Sequence, residues 1–217
     1  SCIVGSRRWR GRCRKPETDR PREPAHAMTT DRQTLLDAFN AELQPERFRD
    51  YGPNGLQVEG RPRIRKLVSG VTACRALIDA AIEVDADAIF VHHGLFWRGQ
   101  DGTVTGWMKQ RLARLLAHDV NLFAYHLPLD AHPTLGNNAQ LGERLGLVAS
   151  GRFGEQELGF IGGRVDGSAF ADAAALADRL QQVLRRPVLQ VGPVAAPIER
   201  IAWCSGGAQG YFEAAIA

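Results

Sequence analysis

Four apolar residues in a row, Ala88-Ile89-Phe90-Val91, lead directly into His92-His93-Gly94. A short unbroken apolar run of this kind reads as a strand covered on both faces, which demands helices above and below it. The flanking patterns supply them. Thr30 or Asp31 can cap a first helix with Leu35, Leu36, Phe39 and Leu43 at helical spacing. Lys66 to Thr72 is a predicted strand, followed by a helix from about Arg75 to Val84. A helix from about Trp107 to Ala117, a strand at Asn121 to Tyr125 and a helix at Asn138 to Leu145 continue the alternation. After Gly146 the texture becomes glycine-rich, with a predicted strand at Leu158 to Ile161 and a helix at Phe170 to Leu184. Strands at Val188 to Val191 and Glu199 to Cys204 follow, then a helix opening at Gln209. The expected class is α/β, with open, mostly parallel sheets and flanking helices.

Charge is distributed unevenly. Residues 1–27 carry eight of the 27 Lys and Arg but only three of the 24 acids, which leaves the other 190 residues at a net charge of −2. The basic pI of 8.8 is therefore no argument for nucleic-acid binding. The expected organisation is a disordered basic tail at 1–27, with Met28 as the natural start, a metal-binding α/β lobe at 28–149 and a second α/β region at 150–217. The last helix lacks a glycine or basic cap before Ala217, so the chain is expected to stop inside a β-α unit. No apolar run reaches the roughly eighteen residues of a membrane helix, so no membrane partner is expected. Cys2, Cys13, Cys74 and Cys204 form no C-x-x-C, which fits a reducing, cytoplasmic setting.

The chemistry concentrates after two strands. His92 and His93 fall just past a buried strand, where open α/β sheets place their ligands. Adjacent strand residues point to opposite faces, so both can converge only if the chain turns, which Gly94 would permit. The second cluster, Tyr125-His126-Leu127-Pro128-Leu129-Asp130-Ala131-His132-Pro133, brings a carboxylate and two more imidazoles to the mouth of the same sheet. Imidazoles with a carboxylate suit a catalytic divalent metal that keeps a position open for water. The competing reading is that Asp130 and His132 only order a proline-containing loop. Cys204-Ser205-Gly206-Gly207 could offer backbone N–H groups to a phosphate, and Trp97 and Trp107 could stack a purine, though core packing is the commoner use of tryptophan. Asn54, Gln57, Asn137 and Asn138 read as turn and cap residues.

Taken in order, Asp50-Tyr51-Gly52-Pro53-Asn54-Gly55-Leu56-Gln57-Val58, Ser69-Gly70-Val71-Thr72, Val91-His92-His93-Gly94-Leu95-Phe96-Trp97, His126-Leu127-Pro128-Leu129-Asp130 and Leu135-Gly136-Asn137-Asn138-Ala139-Gln140-Leu141 resemble the Nif-three-like family, widely labelled GTP cyclohydrolase 1 type 2. The resemblance runs from about residue 32 to 217. It implies a two-lobed α/β fold, here without its C-terminal part, a dinuclear centre of iron or zinc and a toroidal homohexamer. It also implies hydrolytic opening of the GTP purine ring by metal-bound hydroxide. By motif position His92, His93 and Asp130 are the implied metal ligands, and His126 lines the same pocket as a ligand or proton carrier. The family adds a His and a Glu one helical turn apart after the Trp-Cys-Ser-Gly-Gly stretch. This sequence has no histidine beyond His132, so these 217 residues are expected to bind metal weakly, or one ion rather than two. The alternative function is a metal-binding oligomeric adaptor or regulatory protein without turnover.

Overall fold

The computed structural model describes residues 29–192 and 195–216; the expected basic tail and Met28 lie outside these residues. The apolar run becomes β5 (Ala88–His93), a central strand of a four-stranded sheet with the order β2-β6-β5-β4. Its neighbours are β4 (Leu67–Thr72) and β6 (Asn121–Ala124), both parallel to it, and β2 (Gly55–Val58) closes the far edge antiparallel to β6. Alternation along β5 explains the layers. Ile89 and Val91 face a core shared with Ile78 of α2 (Arg75–Glu83), Leu115 of α3 (Gly106–Ala117) and Leu122. Ala88 and Phe90 face the opposite core, where α1 (Arg32–Leu43) contributes Leu35, Leu36, Phe39 and Leu43 around Phe123 and Tyr125. Asp31 caps α1 by accepting the Gln33 N–H at 2.8 Å, as the sequence predicts. A two-stranded ribbon, β1 (Thr30–Asp31) with β3 (Arg63–Ile64), lies beside this layer.

The segment after β6 is not the loop its proline suggests. Pro128 sits in the first turn of a short helix, α4 (Leu127–Ala131), where its missing N–H has no helical partner to lose. Helix α5 (Asn137–Leu145) then leads to the second sheet, β7 (Leu147–Phe153), β8 (Gly159–Arg164) and β9 (Ile201–Trp203), with α6 (Ala173–Leu184) packed on it. This sheet is antiparallel throughout, so the parallel pairs are confined to the first one. Strand β7 escapes sequence reading because Ala149-Ser150-Gly151 has little strand preference; its backbone pairing with β8 holds it.

Two further expectations fail here. Val188 to Val191 is not a strand: it pairs with nothing among the described residues, and Leu189 and Val191 are 87% and 86% exposed. The helix opening at Gln209 starts instead as a 3-10 turn, Ala208–Tyr211, before α7 (Phe212–Ile216). Among the described residues no helix is long and apolar enough to cross a membrane.

Candidate metal centre

His92 and His93 are the last two residues of β5, so the strand does not turn before them. Their rings nevertheless lie 4.5 Å apart, centroid to centroid. The last β5–β6 pair is Val91 with Ala124, whereas β4 continues alongside to pair Thr72 with His93. His92 therefore stands just past the end of β6, where its Nδ1 meets the Tyr125 carbonyl. Gly94 is needed for a different reason from the one its sequence suggests. A Cβ there would sit 2.2 Å from Gln57 Oε1, the atom that accepts the Leu95 N–H at 2.8 Å. Glycine lets the Gln57 side chain close against the strand end.

His126 completes the group. It precedes α4 directly after β6, and its ring is 4.8 Å from that of His92 and 5.6 Å from that of His93. One nitrogen from each of His92, His93 and His126 falls within 4.8 Å of the others. Asp130, one turn further along α4, brings Oδ2 to 3.5 Å from His92 Nε2, while Asn137 Nδ2 donates to its Oδ1 at 2.8 Å. All four line one cleft of about 430 Å³. The far wall comes from the second sheet, through Glu155, Gln156, Leu158 and Cys204 to Ala208.

The residues behind the imidazoles fix their tautomers. His92 Nδ1 is 3.2 Å from the Tyr125 carbonyl, which only accepts, so Nδ1 carries the proton and Nε2 keeps its lone pair. His126 Nδ1 is 2.7 Å from Asp50 Oδ1, which likewise leaves Nε2 unprotonated in the neutral ring. A carboxylate behind a histidine is the usual outer support of a metal ligand. Asp50 is itself tightly held: it also accepts from Tyr51 N at 2.6 Å, Leu127 N at 2.8 Å and Asn54 Nδ2 at 2.9 Å. Burial alone would push its acid up, but the bonds from His126, Asn54, Leu127 and Tyr51 outweigh it and hold Asp50 below the ordinary carboxylate range. Burial lowers His92 first, and the neighbouring Asp130 only partly offsets this. Burial also lowers His93, assisted by His92 and His126. Neutral, lone-pair-bearing nitrogens are what a cation requires.

The remaining candidates separate. His132 leaves the cluster: its Nε2 donates to Glu42 at 3.0 Å, and its Nδ1 accepts from Thr134 and Leu135, beside a different cavity. Trp97 packs edge-on behind His126 at 5.0 Å, and Trp107 lines another cavity, so neither is at this cleft to stack a base. Asn54 and Asn138 do more than cap turns. Asn54 Oδ1 accepts the His126 N–H at 2.7 Å. Fully buried Asn138 donates to the Leu158 carbonyl and accepts from Ser205 N, tying α5 to the second sheet. That bond occupies one of the N–H groups expected of a phosphate cradle at Cys204 to Gly207. Sequence reasoning misses Asp50 as a site residue. Its one signal was its place in the Asp50-to-Val58 motif, and its partner His126 lies 76 positions away.

Comparison with known proteins identifies the family. A GTP cyclohydrolase 1 type 2 homolog of Neisseria meningitidis serogroup A is 53% identical over 185 residues, covering 85% of this chain and 73% of that protein. A homolog of the same name from Pseudomonas aeruginosa is 47% identical over 187 residues, with the same coverage of both chains. Among solved structures, the structural-genomics protein ybgI, described as of unknown function, superposes with a TM-score of 0.79 at 41% identity, covering 86% of this chain and 74% of that one. The family model of Duf34/NIF3 (NGG1p interacting factor 3) matches residues 30–217, and the chain belongs to that family.

Proposed function

We propose that this protein is a metal-dependent hydrolase that opens the purine ring of a nucleotide such as GTP. The observation that carries the reading is the convergence of His92, His93 and His126, each able to offer a nitrogen within 4.8 Å of the others. The donor chemistry fits a divalent ion, zinc or iron: three imidazole nitrogens, two of the rings backed by hydrogen-bond acceptors, and a carboxylate alongside. His92, His93 and Asp130 would hold the ion, and the position of His126 beside them favours the ligand role over that of proton carrier. When bound, the ion supplies Lewis acidity, which polarises the substrate and makes water acidic enough to react near neutral pH. The chain's own residues orient and enclose. Asp50 fixes the His126 ring, Asn137 holds Asp130, and the second sheet's wall narrows the cleft around a substrate. The names of the relatives supply the substrate suggestion.

Metal analysis combined with a GTP turnover assay tests this. The expected result is bound divalent metal and ring-opened product, both lost in His92→Ala while the far-UV CD spectrum is kept. Stoichiometric metal without product at any loading would replace it with the adaptor reading. We also propose that the protein is a homo-oligomer. Leu67 and Val71 project exposed from the edge strand β4, and sedimentation shows whether copies associate.

A further inference from the structure

Each imidazole of the cluster is backed through Nδ1, but the three partners differ in kind. His92 meets the Tyr125 carbonyl and His126 the Asp50 carboxylate, and both partners can only accept. His93 meets a hydroxyl instead. Its Nδ1 lies 3.1 Å from Thr72 Oγ1, a group able either to donate or to accept. The backbone fixes that meeting. Thr72 is the last residue of β4, in register with His93 at the end of β5, and the Ala73 N–H donates to the His93 carbonyl at 2.8 Å. The chain turns at once, the Cys74 N–H donating to the Thr72 carbonyl at 2.6 Å. Valine would serve the strand as well as threonine, so the hydroxyl is the part that the fold does not require.

The consequence is a choice of tautomer. The acceptors behind His92 and His126 hold the proton on Nδ1 of each neutral ring, so both keep a lone pair at Nε2. His92 Nε2 is 3.5 Å from Asp130 Oδ2, one acceptor facing another. Without a cation these lone pairs call for a donor. His93, its ring centroid 4.5 Å from that of His92 and 5.6 Å from that of His126, is the imidazole that can supply one. When Thr72 donates to Nδ1, His93 keeps its proton on Nε2. When Thr72 accepts from Nδ1, Nε2 is bare and able to bind.

We infer that Thr72 is a positioning residue of the metal centre, whose hydroxyl lets His93 carry its proton on Nε2 without metal and on Nδ1 with metal bound. The inference rests on the metal reading of the cleft and names how one ligand is prepared for it. The exchange balances: the Nε2 proton leaves to water, Nδ1 takes one from water, and the hydroxyl rotates from donor to acceptor. No net proton is bound or released. His92 and His126 need no such change.

The test is nitrogen-15 NMR of the histidine side chains in the full chain at about pH 8, above the ordinary imidazole pKa of about 6.5. The protein is first stripped with EDTA and then loaded with zinc, and His93→Gln identifies the His93 signals. The stripped protein should carry the His93 proton on Nε2 and those of His92 and His126 on Nδ1. Zinc should move the His93 proton to Nδ1 and leave the other two in place. Thr72→Val keeps the shape and loses the hydroxyl; it should weaken zinc roughly tenfold in chelator competition. Thr72→Ser should restore the affinity, with the far-UV CD spectrum the same throughout. A His93 proton on the same nitrogen in both states, zinc affinity indifferent to Thr72→Val, or no rescue by Thr72→Ser would overturn the role of Thr72. The two readings fail distinguishably. Zinc that shifts none of the three imidazoles overturns both, whereas zinc that binds His92 and His126 and leaves His93 unmoved keeps the metal centre and removes Thr72 alone.

Discussion

The two sheets contribute unequally to one cleft. Around the first, Ile78, Ile89, Leu95, Leu115, Leu122 and Phe123 are wholly buried, and all four candidate metal donors project from the carboxyl ends of its strands or the short helix that follows. Around the second, Leu147, Phe160, Ile201 and Trp203 retain 2–9% exposure, and α6 buries no residue completely. The donors are thus built on the well-packed layer, and the wall facing them on the looser one. That division suits a site in which ligand geometry must be fixed and substrate contacts may adapt.

The largest predicted effect tests this packing contrast. Phe123→Ala should cost about 3–5 kcal/mol in urea denaturation, through lost burial and a cavity. Leu176→Ala, on half-buried α6, should cost roughly half as much; equal losses would abolish the contrast. Next comes the joint between the sheets. Asn138→Ala strands the Ser205 N–H and the Leu158 carbonyl, and should cost about 2–3 kcal/mol, together with weaker closure of the far wall.

Asp50→Asn sharpens the comparison from the metal side. The isosteric amide can no longer hold His126 as a charged acceptor, and zinc affinity measured by chelator competition should fall roughly tenfold to a hundredfold with little change in fold. An unchanged affinity would remove Asp50 from the site.

The smallest effect is in pH. His92 and His93 are lowered in the folded, metal-free protein, so below about 6.5 the unfolded chain binds more protons than the folded one. Stability should therefore be complete above that pH and decline as pH falls toward the folded values. His92→Gln should flatten the slope, and a slope unchanged by it would contradict the assignment. No histidine follows His132, so the second sheet contributes none of this dependence.

The first sheet was largely legible because its strands are continuous apolar runs with helical periodicity between them. His92, His93, His126 and Asp130 could be placed in one pocket from their positions after those strands, but the same spacing also placed His132 there, and it turns to Glu42 instead. The second sheet was less so: β7 draws its pairing from backbone rather than side chains, and the apolar residues at Val188 to Val191 have no layer to cover. Tyr51, Glu155 and Tyr211 on the cleft wall and Asp50 behind His126 were not recognised, because their places arise only from contacts between segments distant in the chain. Asp50 finds its partner His126 76 positions along the chain, and Glu155 owes its place to left-handed backbone at the two residues after it that no pattern of residue types announces.

The most direct test of the central claim is anomalous diffraction from crystals of the zinc-loaded chain. The account predicts one strong peak about 2.0–2.2 Å from nitrogens of His92, His93 and His126 and from a carboxylate oxygen of Asp130. A peak bonded to none of these imidazoles, or to His132 and Glu42 instead, would contradict it.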